Sequence, residues 1–160
     1  MAKKNDKTNV MRILDSKKIP YTAFEYSEDL TEGVLIAEAL GEDVKAVFKT
    51  LVTESDKKEH FVFVIPVAET LDLKAAARTV GVKSVAMIKQ KELLPLTGYI
   101  HGGCSPIGMK KFFTTTIHNS AESFETIYFS GGRIGAQVEM SLAELAKIIR
   151  FQTADLAERK

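Results

Sequence analysis

The chain has 160 residues, of which 45% are hydrophobic and 27% charged, and its formal net charge at pH 7 is +1. These values predict one globular domain over residues 1–160 and exclude a protein that coats nucleic acid through bulk charge. The lone Cys104, the absence of a membrane-length apolar run and a polar, lysine-rich stretch at residues 1–8 favour a cytoplasmic protein without a disulfide or secretory signal.

The first half of the chain predicts helices and strands in alternation. Thr8 or Asn9 can cap a first helix that carries Val10, Ile13 and Leu14 on one face. The other elements predicted here are a strand over 21–26, a helix over 34–40 ended by Gly41, a strand pair at 46–53 and 60–66, and a helix over 73–79 between Asp72 and Gly81. The two paired strands predict an antiparallel hairpin with a longer loop.

The second half has more glycine and more strand signals. Its predicted elements are a strand over 82–87, a helix over 89–94 broken by Pro95, strands over 112–118, 127–130 and 136–140, and a last helix with a capping box from Ser141 to Glu144. The polar tail, residues 153–160, is expected to fray. This mixture predicts an α/β or α+β fold around a mixed sheet.

Lys49 is the first candidate for chemistry, because it lies in an apolar strand between Phe48 and Leu51. An ammonium there loses hydration and needs a partner, a lowered pKa or a cleft that opens to water. The alternative is a lysine whose stem packs in the protein while its head reaches solvent.

Two glycine-rich turns are the second candidate, at residues 102–108 and 131–135. The first can aim several backbone N–H groups into one concavity that suits a carbonyl oxygen or a phosphate. In the second, Arg133 could bind a phosphate or carboxylate. The alternative is that both turns are tight connections with nothing bound.

Metal chemistry has little support in the sequence. His60, His101 and His118 lack metal-ligand spacing, and we interpret Cys104 as packing within its loop. Lys89, Lys91, Lys110, Lys111 and Arg133 could form a basic rim, although such residues more often make an ordinary solvated surface.

These motifs together resemble the YbaK family, in particular its Cys-tRNA(Pro)/Cys-tRNA(Cys) deacylase branch of the EbsC type. The segments that carry the resemblance are residues 47–51, 73–77, 97–99, 102–111 and 124–132. The family consists of free-standing aminoacyl-tRNA deacylases related to the editing domain of bacterial prolyl-tRNA synthetases. The resemblance implies a single compact α/β domain whose mixed, mostly antiparallel sheet curls into a barrel-like core with helices around it.

The resemblance also implies a set of site residues. It places the catalytic groups at Lys49, Gly103, Ser105 and Gly108. It places substrate-binding groups at Tyr26, Thr50, Gly102, Pro106, Ser130, Gly131 and Arg133. One departure concerns Gln137, where some members carry an acidic residue.

The implied reaction is removal of cysteine from mischarged tRNA(Pro), without a metal or cofactor. The thiol of the substrate attacks its own ester, while Lys49 anchors the 3′ end of the tRNA. The implied partners are the aminoacyl-tRNA 3′ end and prolyl-tRNA synthetase, with no membrane. Two alternatives stay open: editing of another small amino acid such as alanine, and a non-catalytic module that binds a tRNA 3′ end or a synthetase.

Overall fold

Helices and strands are intermixed along residues 7–159, the part of the chain that the computed structural model describes. The helices are α1 (Asn9–Ser16), α2 (Gly33–Leu40), α3 (Leu73–Val80), α4 (Gln90–Thr97) and α5 (Leu142–Leu145). The strands are β1 (Thr22–Glu25), β2 (Phe48–Ser55), β3 (His60–Pro66), β4 (Val85–Met87), β5 (Thr114–His118), β6 (Ile127–Ser130), β7 (Ala136–Met140) and β8 (Gln152–Ala154). The expectation of no secretory signal concerns residues 1–8, most of which lie outside the described residues.

Local sequence signals set the ends of several helices as predicted. The Thr8 hydroxyl accepts a hydrogen bond from the Met11 backbone N–H at 3.2 Å, which caps α1. The Asp72 carboxylate caps α3 in the same way. Gly41 and Gly81 end α2 and α3 with φ of 69° and 75°, a conformation that glycine adopts without steric penalty.

The strands form two sheets. One has the order β4-β2-β3-β5-β8 and the other has the order β1-β7-β6. The predicted hairpin is β2–β3, antiparallel from Phe48 opposite Pro66 to Glu54 opposite His60. The β3–β5 and β5–β8 pairs are parallel and the other strand pairs are antiparallel, so the predicted mixed, mostly antiparallel α/β arrangement is confirmed.

The sheets do not close into the barrel that we expected. Within residues 7–159 the bridge between Val47 and Tyr128 is the backbone pairing that links them. The larger sheet ends in β4 and β8, which are three residues long, and neither strand pairs with the smaller sheet. The main core fills the space between the sheets, and it includes Val10, Phe129 and Val138.

Helix α4 differs from its prediction, because Pro95 lies inside the helix and does not end it. Proline removes one backbone donor, so tertiary packing must hold the turn that follows. Leu93 and Thr97 are both buried, and the Thr97 hydroxyl donates to the Leu93 carbonyl at 2.8 Å. The helix then ends at Gly98, whose φ is 89°.

The end of the chain also differs from its prediction. Ser141 caps the last helix as expected, but the α-helix is only Leu142–Leu145. Residues 153–159 were expected to fray, yet β8 pairs with β5, and Leu156 is completely buried in a second core beneath α3. The burial of Leu156 and backbone hydrogen bonds to Thr70 and Asp72 therefore fix a segment whose composition is polar. No helix within residues 7–159 has the length and apolar character needed to cross a bilayer.

Candidate active site

A cavity of about 530 Å³ opens between the two sheets. Its walls come from β2, the first turn of α2, the junction between β4 and α4, the glycine turn after His101, and the ends of β6 and β7 that face each other. Small-ligand sites typically measure about 300–1,000 Å³, so the cavity has room for an organic group larger than an amino acid.

Lys49 lines this cavity from the second position of β2, where it is half-buried opposite Ile65 on β3. Burial lowers the pKa of the Lys49 ammonium, and the charge of Glu69 opposes that shift. Lys49 is therefore a desolvated cation at the wall of a cleft. This agrees with the first of the two interpretations of the sequence, a lysine with a lowered pKa at a cleft.

Tyr26, Thr50, Gly102 and Ser130 line the same cavity, so the fold brings together five of the predicted site residues once Lys49 is included. The Thr50 hydroxyl oxygen is buried without a hydrogen-bond partner among the described residues. The Ser130 hydroxyl accepts a hydrogen bond from the Gly132 backbone N–H at 3.1 Å. Burial raises the pKa of the Tyr26 phenol, which therefore stays protonated at neutral pH.

The remaining predicted residues lie outside the cavity wall. They are Gly103, Ser105, Pro106, Gly108, Gly131 and Arg133. Ser105 is completely buried, and its hydroxyl accepts from the Ile107 backbone N–H at 3.3 Å, which stabilises the turn. A Cβ on Gly103 would lie 3.0 Å from the Arg133 Cα, so the two glycine turns pack directly against each other. Their catalytic and binding roles stay predictions.

Arg133 forms an ion pair with Glu25 at 3.6 Å. That pairing directs its guanidinium toward β1, whereas we expected it to line the substrate site. Of the basic rim considered above, Lys89 is the member that lines the cavity.

Cys104 lines the cavity, although the sequence indicated only a packing role. Burial raises the pKa of its thiol to about 12. A thiol with that pKa stays protonated at neutral pH, and the thiolate is the nucleophilic form. No three His, Cys, Asp or Glu side chains within residues 7–159 converge on a point that could hold a metal ion.

Gln137 is a cavity residue that the sequence analysis noted as a departure from the family pattern but did not include among the site residues. It is 3% exposed and lies opposite Ser130 in the β6–β7 pairing. Alternation along β7 and the register with the predicted Ser130 are the signals that could have identified it.

Comparison with known proteins identifies the family. Residues 32–148, which contain all the cavity-lining residues except Tyr26 and Thr31, match the model of the aminoacyl-tRNA editing domain. The chain belongs to the aminoacyl-tRNA editing domain family. It is also 41% identical, over the full length of both chains, to the Enterococcus faecalis protein named "Putative Cys-tRNA(Pro)/Cys-tRNA(Cys) deacylase EbsC".

Solved structures share the fold of this editing domain. One, titled as a putative trans-editing enzyme for prolyl tRNA synthetase, has a TM-score of 0.82 at 23% identity and covers 96% of this chain and 100% of its own. Another, from work on grafting epitopes onto scaffold proteins, has a TM-score of 0.84 at 24% identity and covers 94% of this chain and 96% of its own.

Proposed function

We propose that this protein is a trans-editing aminoacyl-tRNA deacylase that removes cysteine from mischarged Cys-tRNA(Pro). Membership of the editing-domain family and the name of the Enterococcus faecalis relative support this proposal. The observation that carries it is the cavity, where the half-buried Lys49 is the desolvated cation and the thiol of Cys104 is held protonated.

A cavity with a desolvated cation and a thiol that stays protonated suits a reaction in which the substrate supplies the nucleophile. The thiolate of the esterified cysteine attacks its own ester carbonyl. A C–S bond forms and the C–O bond to the 3′ ribose breaks. The products are cysteine thiolactone and a tRNA whose released 3′ oxygen takes up a proton.

Lys49 stabilises negative charge in this scheme. Its ammonium lines the cavity proposed to hold the ester. A preorganised charge in a desolvated site stabilises a transition state more than it would in water. Gly102 of the glycine turn lines the same cavity, so its backbone is available to the proposed ester.

Recognition of the tRNA body is a separate matter from cleavage. With a net charge of +1, the protein is expected to bind tRNA modestly and in a salt-sensitive manner. Selectivity for tRNA(Pro) would then come from association with prolyl-tRNA synthetase, which is the proposed partner.

The test is multiple-turnover deacylation with a catalytic amount of protein and either Cys-tRNA(Pro) or Ala-tRNA(Pro). We expect many turnovers with the cysteinyl ester and slow cleavage of the alanyl ester, which lacks a thiol. Equal cleavage of both esters would assign the site to small amino acids in general. Protection of the ester without turnover would assign it to a binding module.

A further inference from the structure

The cavity meets strand β2 along its edge. Every residue from 47 to 52 lines the cavity. Side chains of a strand alternate between its two faces, so a wall made by one face would contain every second residue. An unbroken run of lining residues therefore means that the edge of the strand contributes to the wall, and an edge presents backbone N–H and C=O groups.

The pairing of β2 with β3 shows which backbone groups point to that edge. Opposite residues of antiparallel strands alternate between pairs that exchange backbone hydrogen bonds and pairs that do not. The Val67 N–H donates to the Val47 carbonyl at 2.8 Å. The Ser55 N–H donates to the Glu59 carbonyl at 2.7 Å. Odd-numbered residues of this stretch therefore bond to β3, and the backbone groups of even-numbered residues point to the opposite edge.

Two observations agree with this assignment. Phe48 lies opposite Pro66, which has no N–H, and a pair that exchanges no hydrogen bonds needs none. On the opposite edge, the Ile88 N–H donates to the Val52 carbonyl at 3.3 Å. The backbone N–H and C=O of Thr50 therefore point away from β3, toward the same edge as the Val52 carbonyl.

This edge is uncovered at Thr50 within residues 7–159. Strand β4 pairs with β2 over residues 53–55, and the bridge between Val47 and Tyr128 lies at the other end. Thr50 is partly exposed although its hydroxyl oxygen is buried, so its main chain or its methyl group supplies the exposed surface. At the centre of the gap, Thr50 offers one backbone donor and one backbone acceptor side by side.

An aminoacyl ester carries the complementary groups. Its α-ammonium is a donor and its ester carbonyl is an acceptor, and both are attached to one α-carbon, as in a residue of a strand. We propose that the aminoacyl group pairs with Thr50 as a one-residue strand. Its ammonium donates to the Thr50 carbonyl, and the Thr50 N–H donates to the ester carbonyl. This inference rests on the proposed function, since it assumes an aminoacyl ester in the cavity.

The pairing has a consequence for catalysis and one for selectivity. The Thr50 N–H is a fixed donor at the ester oxygen, where negative charge develops in the transition state. Every amino acid carries the two groups that pair with Thr50, so this contact does not distinguish cysteine from alanine. Selection between them is left to the thiol, in agreement with the proposed reaction.

The test is backbone hydrogen exchange, followed by NMR on the ¹⁵N-labelled protein. In the free protein the Thr50 amide should exchange much faster than the amides of Lys49 and Leu51, which bond to β3. The probe is 3′-cysteinylamino-3′-deoxyadenosine, and 3′-deoxyadenosine is the matched control without an aminoacyl group. At saturation the cysteinyl probe should slow exchange at Thr50 by roughly tenfold or more, the effect of one hydrogen bond, and the control should not. The alanyl counterpart of the probe should protect Thr50 equally.

Proline substitutions test the direction of the backbone groups without a ligand. Proline is tolerated in an edge strand where its missing N–H points away from the ladder. Thr50→Pro should therefore lower the urea midpoint less, relative to Thr50→Ala, than Leu51→Pro does relative to Leu51→Ala. The alanine variants keep the N–H and account for loss of the side chain. The reverse order would show that the Thr50 N–H faces β3 and would overturn the proposal.

The exchange experiment has outcomes that separate this inference from the proposed function. Exchange at Thr50 as slow as at Leu51 in the free protein would overturn the proposal. So would equal protection by 3′-deoxyadenosine, or no protection by either aminoacyl probe, failure to bind included. Protection by N-acetyl-trialanine amide alone would assign the edge to a peptide instead. Protection by the cysteinyl probe without cleavage of Cys-tRNA(Pro) would support this inference and refute the proposed reaction. Cleavage with Thr50 unprotected would do the reverse.

Discussion

Replacing Lys49 with methionine should remove activity without harming the fold. Methionine keeps an unbranched, flexible stem and removes the ammonium at the cavity wall. Loss of one preorganised group that stabilises transition-state charge lowers kcat by about 10²–10³, which is roughly 3–4 kcal/mol of barrier. Lys49→Arg should recover only part of this rate, because a planar guanidinium does not replace a compact ammonium.

The direction of the stability change in Lys49→Met can also be checked. Burial lowers the pKa of Lys49 below its ordinary value of 10.5, so the folded protein disfavours the charged form. Lys49→Met should therefore be at least as stable as the wild type at pH 7. Any gain in the free energy of unfolding of Lys49→Met over the wild type should shrink as the pH rises from the depressed folded-state pKa toward 10.5. The reason is that the stability of the wild type increases over that pH range.

The assay combines single-turnover deacylation of Cys-tRNA(Pro) with urea unfolding at pH 7 and pH 9.5. Lys91→Met is the matched control, since Lys91 is an exposed lysine on α4 outside the cavity wall. A Lys49→Met rate within tenfold of the wild type would refute the role given to this ammonium. A large loss of stability at pH 7 would show that Lys49 is structural.

Three further substitutions test other parts of the structure. Cys104→Ala should keep most activity, because the thiol stays protonated with a pKa of about 12. EDTA should have no effect on the rate, because the proposed reaction uses no metal. Gly103→Ala should destabilise the protein by about 1–3 kcal/mol and reduce activity, since its Cβ would press on the Arg133 backbone; thermal unfolding and the deacylation assay measure both effects. Leu156→Ala should cost about 2–5 kcal/mol in urea unfolding, and a change below 0.5 kcal/mol, roughly the effect of a surface substitution, would contradict the packing of the chain end.

Local signals predicted much of the fold. Capping residues such as Thr8 and Asp72, and glycines such as Gly41, act within a few residues of their own position, so the sequence is enough to locate them. The predictions that Pro95 ends α4 and that the chain end frays were wrong, because tertiary contacts determine the structure of both segments. Leu93 holds α4 beyond the proline, and Leu156 holds the tail against a core built from distant residues.

Some residues of the candidate site could likewise be identified from the sequence, whereas others required the tertiary structure. Lys49 could be selected because an ammonium within an apolar strand needs a partner or a cleft, whereas Thr50 was selected only through the family resemblance. The glycine turn was a less precise guide, because the sequence does not tell which of its residues face a cavity and which face the neighbouring turn. Gln137 needed the pairing of β6 with β7 before its position in the wall was evident.

The most direct test of the central claim compares Cys-tRNA(Pro) with Ser-tRNA(Pro) at a catalytic amount of protein. Sulfur and oxygen differ little in size, so a pocket cannot separate these esters by sterics alone, but the thiol ionises much closer to neutral pH. We predict that the cysteinyl ester is cleaved far faster and that cysteine thiolactone is the first product. Equal rates for the two esters, with loss of both in Cys104→Ala, would contradict the account and indicate a nucleophile carried by the protein.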